Sequence, residues 1–113
     1  MRFEVFKDNR NGFSWRLRAA NGLIIANGES YTTKANCEHA INLLKAARLD
    51  QFTIYQDARN EWRWRVKADN GEIIAQSSEG YQNRQDCENA ARLVYSVNAN
   101  TPVSDLTGAA VGR

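Results

Sequence analysis

Two cysteines and a single histidine are the residues best suited to metal or nucleophilic chemistry. A tetrahedral zinc site needs four ligands at characteristic spacings, and Cys37, His39 and Cys87 do not provide them. A Ser-His-Asp or Cys-His arrangement would have to use His39. The helical pattern around His39 turns it toward solvent, away from a cleft that could hold a substrate. We therefore predict no catalytic residue, no metal site and no cofactor.

Basic residues in two similar segments give a second candidate site. They alternate with apolar residues and are Arg16, Arg18, Arg63, Arg65 and Lys67. Strand periodicity places all five on the face opposite Trp15, Trp62 and Trp64. On an open sheet face, guanidinium groups could pair with phosphate or carboxylate, and single-stranded nucleic acid can lie on such a surface. The alternative is a solvated face whose charges pair across strands, with the aromatic residues on the buried side.

The composition is that of one folded domain, with 42% hydrophobic and 25% charged residues. The net charge of +2 is too balanced to identify a nucleic-acid binder. No apolar run is long enough for a bilayer span or a signal-peptide core, which predicts a cytoplasmic protein with no membrane partner. Cys37 and Cys87 are expected to be buried thiols, and a disulfide between them is the alternative.

An internal repeat organises the chain. Residues 3–30 align with residues 52–79, and after one extra residue near Gly80 the later residues also match. A repeat of this length is usually one duplicated supersecondary unit. Because such a small unit buries too little surface to be stable alone, the two units should share one core. We predict a first unit at 1–49, a second unit with a terminal edge strand at 50–107, and a frayed tail at 108–113.

Each unit is predicted to contain three strands followed by a helix. The predicted strands are 3–7, 13–19 and 23–27 in the first unit and 52–56, 62–68 and 72–76 in the second, with a last strand at 103–106. Asn21-Gly22 and Asn70-Gly71 between the second and third strands predict type I′ turns.

The helices should begin after residues that can cap them. Thr33 and Asn83 have side-chain oxygens that can accept from free N–H groups of the first turn. In the turns that follow, spacing predicts two i,i+4 ion pairs, Lys34 with Glu38 and Arg84 with Glu88.

Several of these segments together resemble the YegP-like family of small uncharacterised proteins. They are Trp62–Arg65, Ala68–Ala75, Tyr81 and Val103–Leu106, with a diverged first copy at Phe13–Arg16, Ala19–Ala26 and Tyr31. The resemblance implies β-β-β-α-β units, present in tandem or as a dimer of single units, that build one antiparallel sheet with exchanged terminal strands. The first copy departs from it, since its helix leads through Arg48–Gln51 straight into the next strand. The family has no established activity, so the resemblance implies an architecture and not a reaction.

These observations predict an α+β protein with a pseudo-twofold antiparallel sheet and two helices packed on one face. The expected function is that of a non-enzymatic binding module. The alternative is binding of nucleic acid or a phosphorylated or acidic ligand through the Arg-rich strand face, and a small enzyme is the third interpretation. A monomer with an internal pseudo-dimer is expected, with a homodimer as the alternative.

Overall fold

The computed structural model describes residues 1–108 and contains seven strands and two α-helices. The strands are β1 (Arg2–Lys7), β2 (Phe13–Arg18), β3 (Ile24–Asn27), β4 (Phe52–Gln56), β5 (Trp62–Lys67), β6 (Ile73–Ser77) and β7 (Val103–Asp105). The helices are α1 (Lys34–Lys45) and α2 (Arg84–Tyr95). Every predicted strand is present, and no strand end differs from the expected one by more than one residue. Of the predicted tail, only Gly108 falls within the described residues.

All seven strands form one sheet in the order β4-β5-β6-β3-β2-β1-β7. Leaving out β7, the first, second and third strands of one repeat follow in order from one end of the sheet, and those of the other repeat follow in order from the opposite end. The two repeats are therefore related by a pseudo-twofold axis between β6 and β3. This confirms the predicted α+β fold. The terminal strand is exchanged, as the resemblance implied, since β7 follows the second repeat and pairs with β1 of the first.

One pairing in the sheet differs from the prediction. Every neighbouring pair is antiparallel except β1 and β7, which are parallel, so the sheet is mixed. After α2 the chain runs alongside β1 in the same direction.

The core lies between one face of the sheet and both helices. Its largest fully buried side chains include Trp15 and Trp64 from the strands and Ile41 and Val94 from the helices. Each helix reaches beyond its own repeat, because α1 contacts β6 and α2 contacts β3. The two repeats therefore bury their apolar faces in one continuous cluster.

The helix starts are as predicted, and the hairpin turns are not. Thr33 Oγ1 accepts from Asn36 N–H, and Asn83 Oδ1 accepts from Asp86 N–H. In the turns, only the glycine of each Asn-Gly pair has positive φ, 86° at Gly22 and 87° at Gly71. A type I′ turn needs positive φ at both residues, so the prediction of that type was wrong.

The connection between the repeats is a 3-10 helix, Leu49–Gln51, that leads directly into β4. It follows α1 closely and leaves no room for a strand between α1 and β4. The first repeat therefore has no counterpart of β7. Neither α-helix in residues 1–108 is long and apolar enough to cross a membrane.

Candidate anion-binding face

The five basic residues singled out from the sequence do not form one row. Arg16 and Arg18 lie on β2, whereas Arg63, Arg65 and Lys67 lie on β5. β3 and β6 stand between these two strands, which separates the groups by roughly 14 Å at the usual strand spacing. All five are half-buried and alternate with buried core residues, so they lie on the face away from the helices.

The basic residues of β2 are already paired with a carboxylate. Glu4 lies opposite Arg16 in the antiparallel register. Its side chain accepts from Arg16 Nε at 2.6 Å, Arg18 Nε at 2.9 Å and Arg2 at 3.0 Å. We call these four residues the Glu4 cluster. The bond from Arg16, with those from Arg18 and Arg2, outweighs burial and lowers the pKa of Glu4 to about 2.

On β5, Arg63 is also committed to an internal contact. Its Nε donates to Asp57 Oδ2 at 2.7 Å. The other carboxylate oxygen of Asp57 accepts from the backbone N–H groups of Arg59 and Glu61 and shapes the loop before β5. The bond from Arg63, with the loop N–H groups, lowers the pKa of Asp57. Arg63 therefore holds the loop before β5 in place through Asp57.

Arg65 and Lys67 differ from their counterparts on β2. Thr53 lies opposite Arg65 in the register, where the first repeat has Glu4 opposite Arg16. The Nε of Arg65 is buried and has no hydrogen-bond partner within residues 1–108. In the same part of the chain, Lys67 has no carboxylate within salt-bridge distance. We call Arg65 and Lys67 the β5 basic pair.

Aromatic side chains also lie on this face, which corrects the expectation that they would all be on the buried side. The guanidinium of Arg16 lies 4.5 Å from the ring centre of Phe6, and that of Arg65 lies 4.6 Å from the ring centre of Tyr55. Cation–π contacts of this kind attract each guanidinium to a ring. Alternation along β1 and β4 is the signal in the sequence that places both aromatics on this face.

His39 is exposed, as expected, but it does line a cleft. A groove of about 340 Å³ lies between α1 and the β5–β6 hairpin, and its walls include His39, Tyr31 and Glu72. The expectation that His39 faces away from any cleft was therefore wrong. Burial raises the pKa of Tyr31 above its ordinary value.

Cys37 and Cys87 are both buried and unbonded to each other. Burial raises the pKa of the Cys37 thiol to about 11 and raises that of Cys87 as well. A protonated thiol is a poor nucleophile and a poor metal ligand. Within residues 1–108 no group of three or more His, Cys, Asp or Glu side chains is placed to hold a metal ion.

A family model and several curated proteins are similar to this chain. A family model described as "Domain of unknown function (DUF1508)" matches residues 8–51 and 57–105. UPF0339 protein NMB1088 of Neisseria meningitidis serogroup B is 56% identical over 46 residues, which is 41% of this chain and 82% of that protein. A UPF0339 protein of Treponema denticola is 46% identical over 44 residues, which is 39% of this chain and 76% of that protein.

Two solution NMR structures share the fold. The protein of unknown function yegP from E. coli has a TM-score of 0.85 and 29% sequence identity, with 94% of this chain and 92% of that chain covered. UPF0339 protein SO3888 from Shewanella oneidensis also has a TM-score of 0.85, with 24% identity and 93% and 90% covered. The expected similarity to YegP-like proteins is thereby confirmed.

Proposed function

The chain belongs to the family of DUF1508, a domain of unknown function, and we propose a role for it from the geometry of its sheet face. The protein is a non-enzymatic binding module that takes an anionic group, phosphate or carboxylate, on the β5 basic pair. The observation that carries this proposal is the buried, unpartnered Nε of Arg65. A buried donor without a partner costs about 1–3 kcal/mol, which a ligand oxygen would recover.

The first repeat supports this proposal, because it contains the equivalent arginine with its acceptor present. There, the equivalent guanidinium of Arg16 lies against Phe6 and donates its Nε to Glu4. In the second repeat, Tyr55 holds the guanidinium of Arg65 in the same way, and Thr53 is too short to supply the missing oxygen. An external anion would fill the position that the Glu4 carboxylate fills in the first repeat.

Thr53→Glu is expected to weaken binding of inorganic phosphate about tenfold or more. The new carboxylate would reproduce the contacts of Glu4 and satisfy Arg65 from within the chain. The measurement is a phosphate titration of the labelled full chain that follows the Arg65 Nε–H signal by NMR. Thr53→Val, of nearly the wild-type size and without a side-chain acceptor, should bind within about twofold of the wild type. Unchanged binding by Thr53→Glu would contradict the proposal.

A second candidate ligand is single-stranded nucleic acid, favoured by Tyr55 beside Arg65 on an open sheet face. Affinity for a short single-stranded oligonucleotide should then fall with added salt. The double variant Arg65→Ala/Lys67→Ala should reduce the salt slope by about 1.4. Arg16→Ala/Arg18→Ala is the matched control, because those arginines are held by Glu4. A slope reduced equally by both variants would contradict use of the β5 face.

We propose that this module works as a monomer in a reducing compartment, the cytoplasm. The buried thiols of Cys37 and Cys87 support a setting in which disulfides do not form. The shared core of the two repeats supports the monomer, because each repeat already finds its partner within the chain.

A further inference from the structure

The two outer strands of the pseudo-symmetric part of the sheet, β1 and β4, differ in whether a further strand pairs with them. β1 is covered by β7, whereas no strand in residues 1–108 pairs with the outer side of β4. An exposed strand edge offers unpaired N–H and C=O groups to which another extended chain can add. The covered edge of β1 shows what the equivalent edge of β4 could accept.

At the covered edge, β7 makes both backbone and side-chain contacts. Phe3 N–H donates to the Pro102 carbonyl at 2.9 Å, and Leu106 N–H donates to the Val5 carbonyl at 2.7 Å. Val103 lines a small pocket of about 210 Å³ together with the α1 residues Glu38, Ile41 and Asn42. Two residues later, Asp105 forms a salt bridge with Lys34 at the start of α1.

The equivalent place in the second repeat is an open groove. It has a volume of about 260 Å³ and is lined by Leu49, Phe52, Ile54, Glu88, Ala91 and Arg92. In the repeat alignment Phe52 and Ile54 correspond to Phe3 and Val5, and the three α2 residues correspond to the α1 residues around Val103. The groove therefore corresponds to the pocket that Val103 borders in the other half. Ala91 stands in place of the larger Ile41 and leaves more room for an apolar side chain.

The charges around this groove favour an acidic occupant. Arg84 corresponds to Lys34, the partner of Asp105. Arg84 pairs with Glu88 at 3.1 Å, an exposed contact of the kind that contributes little to stability. It could therefore exchange that partner for another carboxylate. Arg92 takes the place of the neutral Asn42 and adds a second positive charge.

The chain cannot fill the groove with its own nearest segment. A strand equivalent to β7 would have to follow α1, and the 3-10 helix Leu49–Gln51 leads from there directly into β4. The same 3-10 helix also occupies one backbone donor at the edge of β4, because Phe52 N–H donates to the Leu49 carbonyl. The groups left for an incoming strand lie further along β4, at Ile54.

We propose that the outer edge of β4, with the groove beside α2, binds an extended segment of a partner protein as an added parallel strand. The segment carries an apolar residue, which enters the groove at Ala91, and an acidic residue two positions later, which pairs with Arg84. Its chemistry is that of Val103-Ser104-Asp105. This site lies at the sheet edge and is separate from the β5 basic pair.

A synthetic peptide with the sequence of residues 101–108 is the probe for this site. Titrated into the labelled full chain, it should shift the backbone amide signal of Ile54. A peptide with lysine in place of the aspartate should bind at least fivefold more weakly. In the Arg84→Glu variant this preference should reverse, because the lysine peptide would then find the opposite charge. Arg59→Glu, the same charge change in an exposed loop, should keep the wild-type preference.

Three outcomes would overturn the proposal. One is a peptide preference that Arg84→Glu leaves unchanged. Another is a shift confined to Phe3 and Val5, which would mean that the peptide displaces β7 and does not use β4. The third is self-association of the chain through β4 in the absence of peptide, which would make a second copy the occupant.

Discussion

Trp15→Ala is expected to destabilise the protein by about 3–5 kcal/mol, the range for removal of a large buried aromatic side chain. Trp15 is fully buried, and its ring meets that of Phe3 edge-on at 5.6 Å between centres. A Cβ on Gly28 would lie 2.1 Å from the Trp15 Nε1, so the backbone also closes over the indole.

The free energy of unfolding in urea, followed by circular dichroism, measures this effect. Leu49→Ala is the control, since Leu49 is 62% exposed and should change stability by no more than about 0.5 kcal/mol. A loss below about 1 kcal/mol for Trp15→Ala would mean that the two repeats do not depend on one close-packed core.

The Glu4 cluster is expected to make stability fall steeply with acid. The folded pKa of Glu4, about 2, lies below its ordinary value of 4.5. A carboxyl with a lowered pKa stabilises the fold fully above its ordinary value and loses that contribution as pH falls toward the folded value. Between pH 7 and pH 3 the wild type should therefore lose about 2 kcal/mol more than Glu4→Gln.

The comparison with Glu4→Gln is needed because other carboxyl groups act in the same direction. Hydrogen bonds from Ser30 and Ser14 lower the pKa of Asp8, and Lys34 lowers that of Asp105 to about 2. These groups are present in both proteins, so their contribution cancels in the difference. Parallel stability curves for the wild type and Glu4→Gln between pH 7 and pH 3 would refute the role assigned to the cluster.

The sequence was sufficient for the architecture because its local patterns agree with one another. Alternation along β2 and β5, glycines at the turns, and capping residues at Thr33 and Asn83 all indicate the same elements, and the repeat relates one half to the other. The type I′ turn was wrong because the number of residues in a hairpin loop depends on the strand register, which a dipeptide does not determine.

The pairing of individual charges could not be predicted in the same way. Spacing along one helix suggested Lys34 with Glu38, whereas Lys34 reaches Asp105 on β7, which arrives from the far end of the chain. Spacing did succeed for Arg84 and Glu88, where no strand competes. Likewise, the contrast between Glu4 and Thr53 appears only once each first strand is placed beside its second strand in register.

The replacement of Glu4 by Thr53 has a consequence for how such a protein can evolve. In a symmetric dimer of single repeats, one substitution alters both halves, so an unsatisfied arginine would arise twice. Joined in one chain, the halves mutate independently. The first repeat, with Glu4, can keep a fully paired sheet face that stabilises the fold. The second repeat, with Thr53, leaves one donor of Arg65 unpaired. That donor costs about 1–3 kcal/mol, and the cost arises only once in the chain. Duplication thus separates the residues that maintain the fold from those open to change.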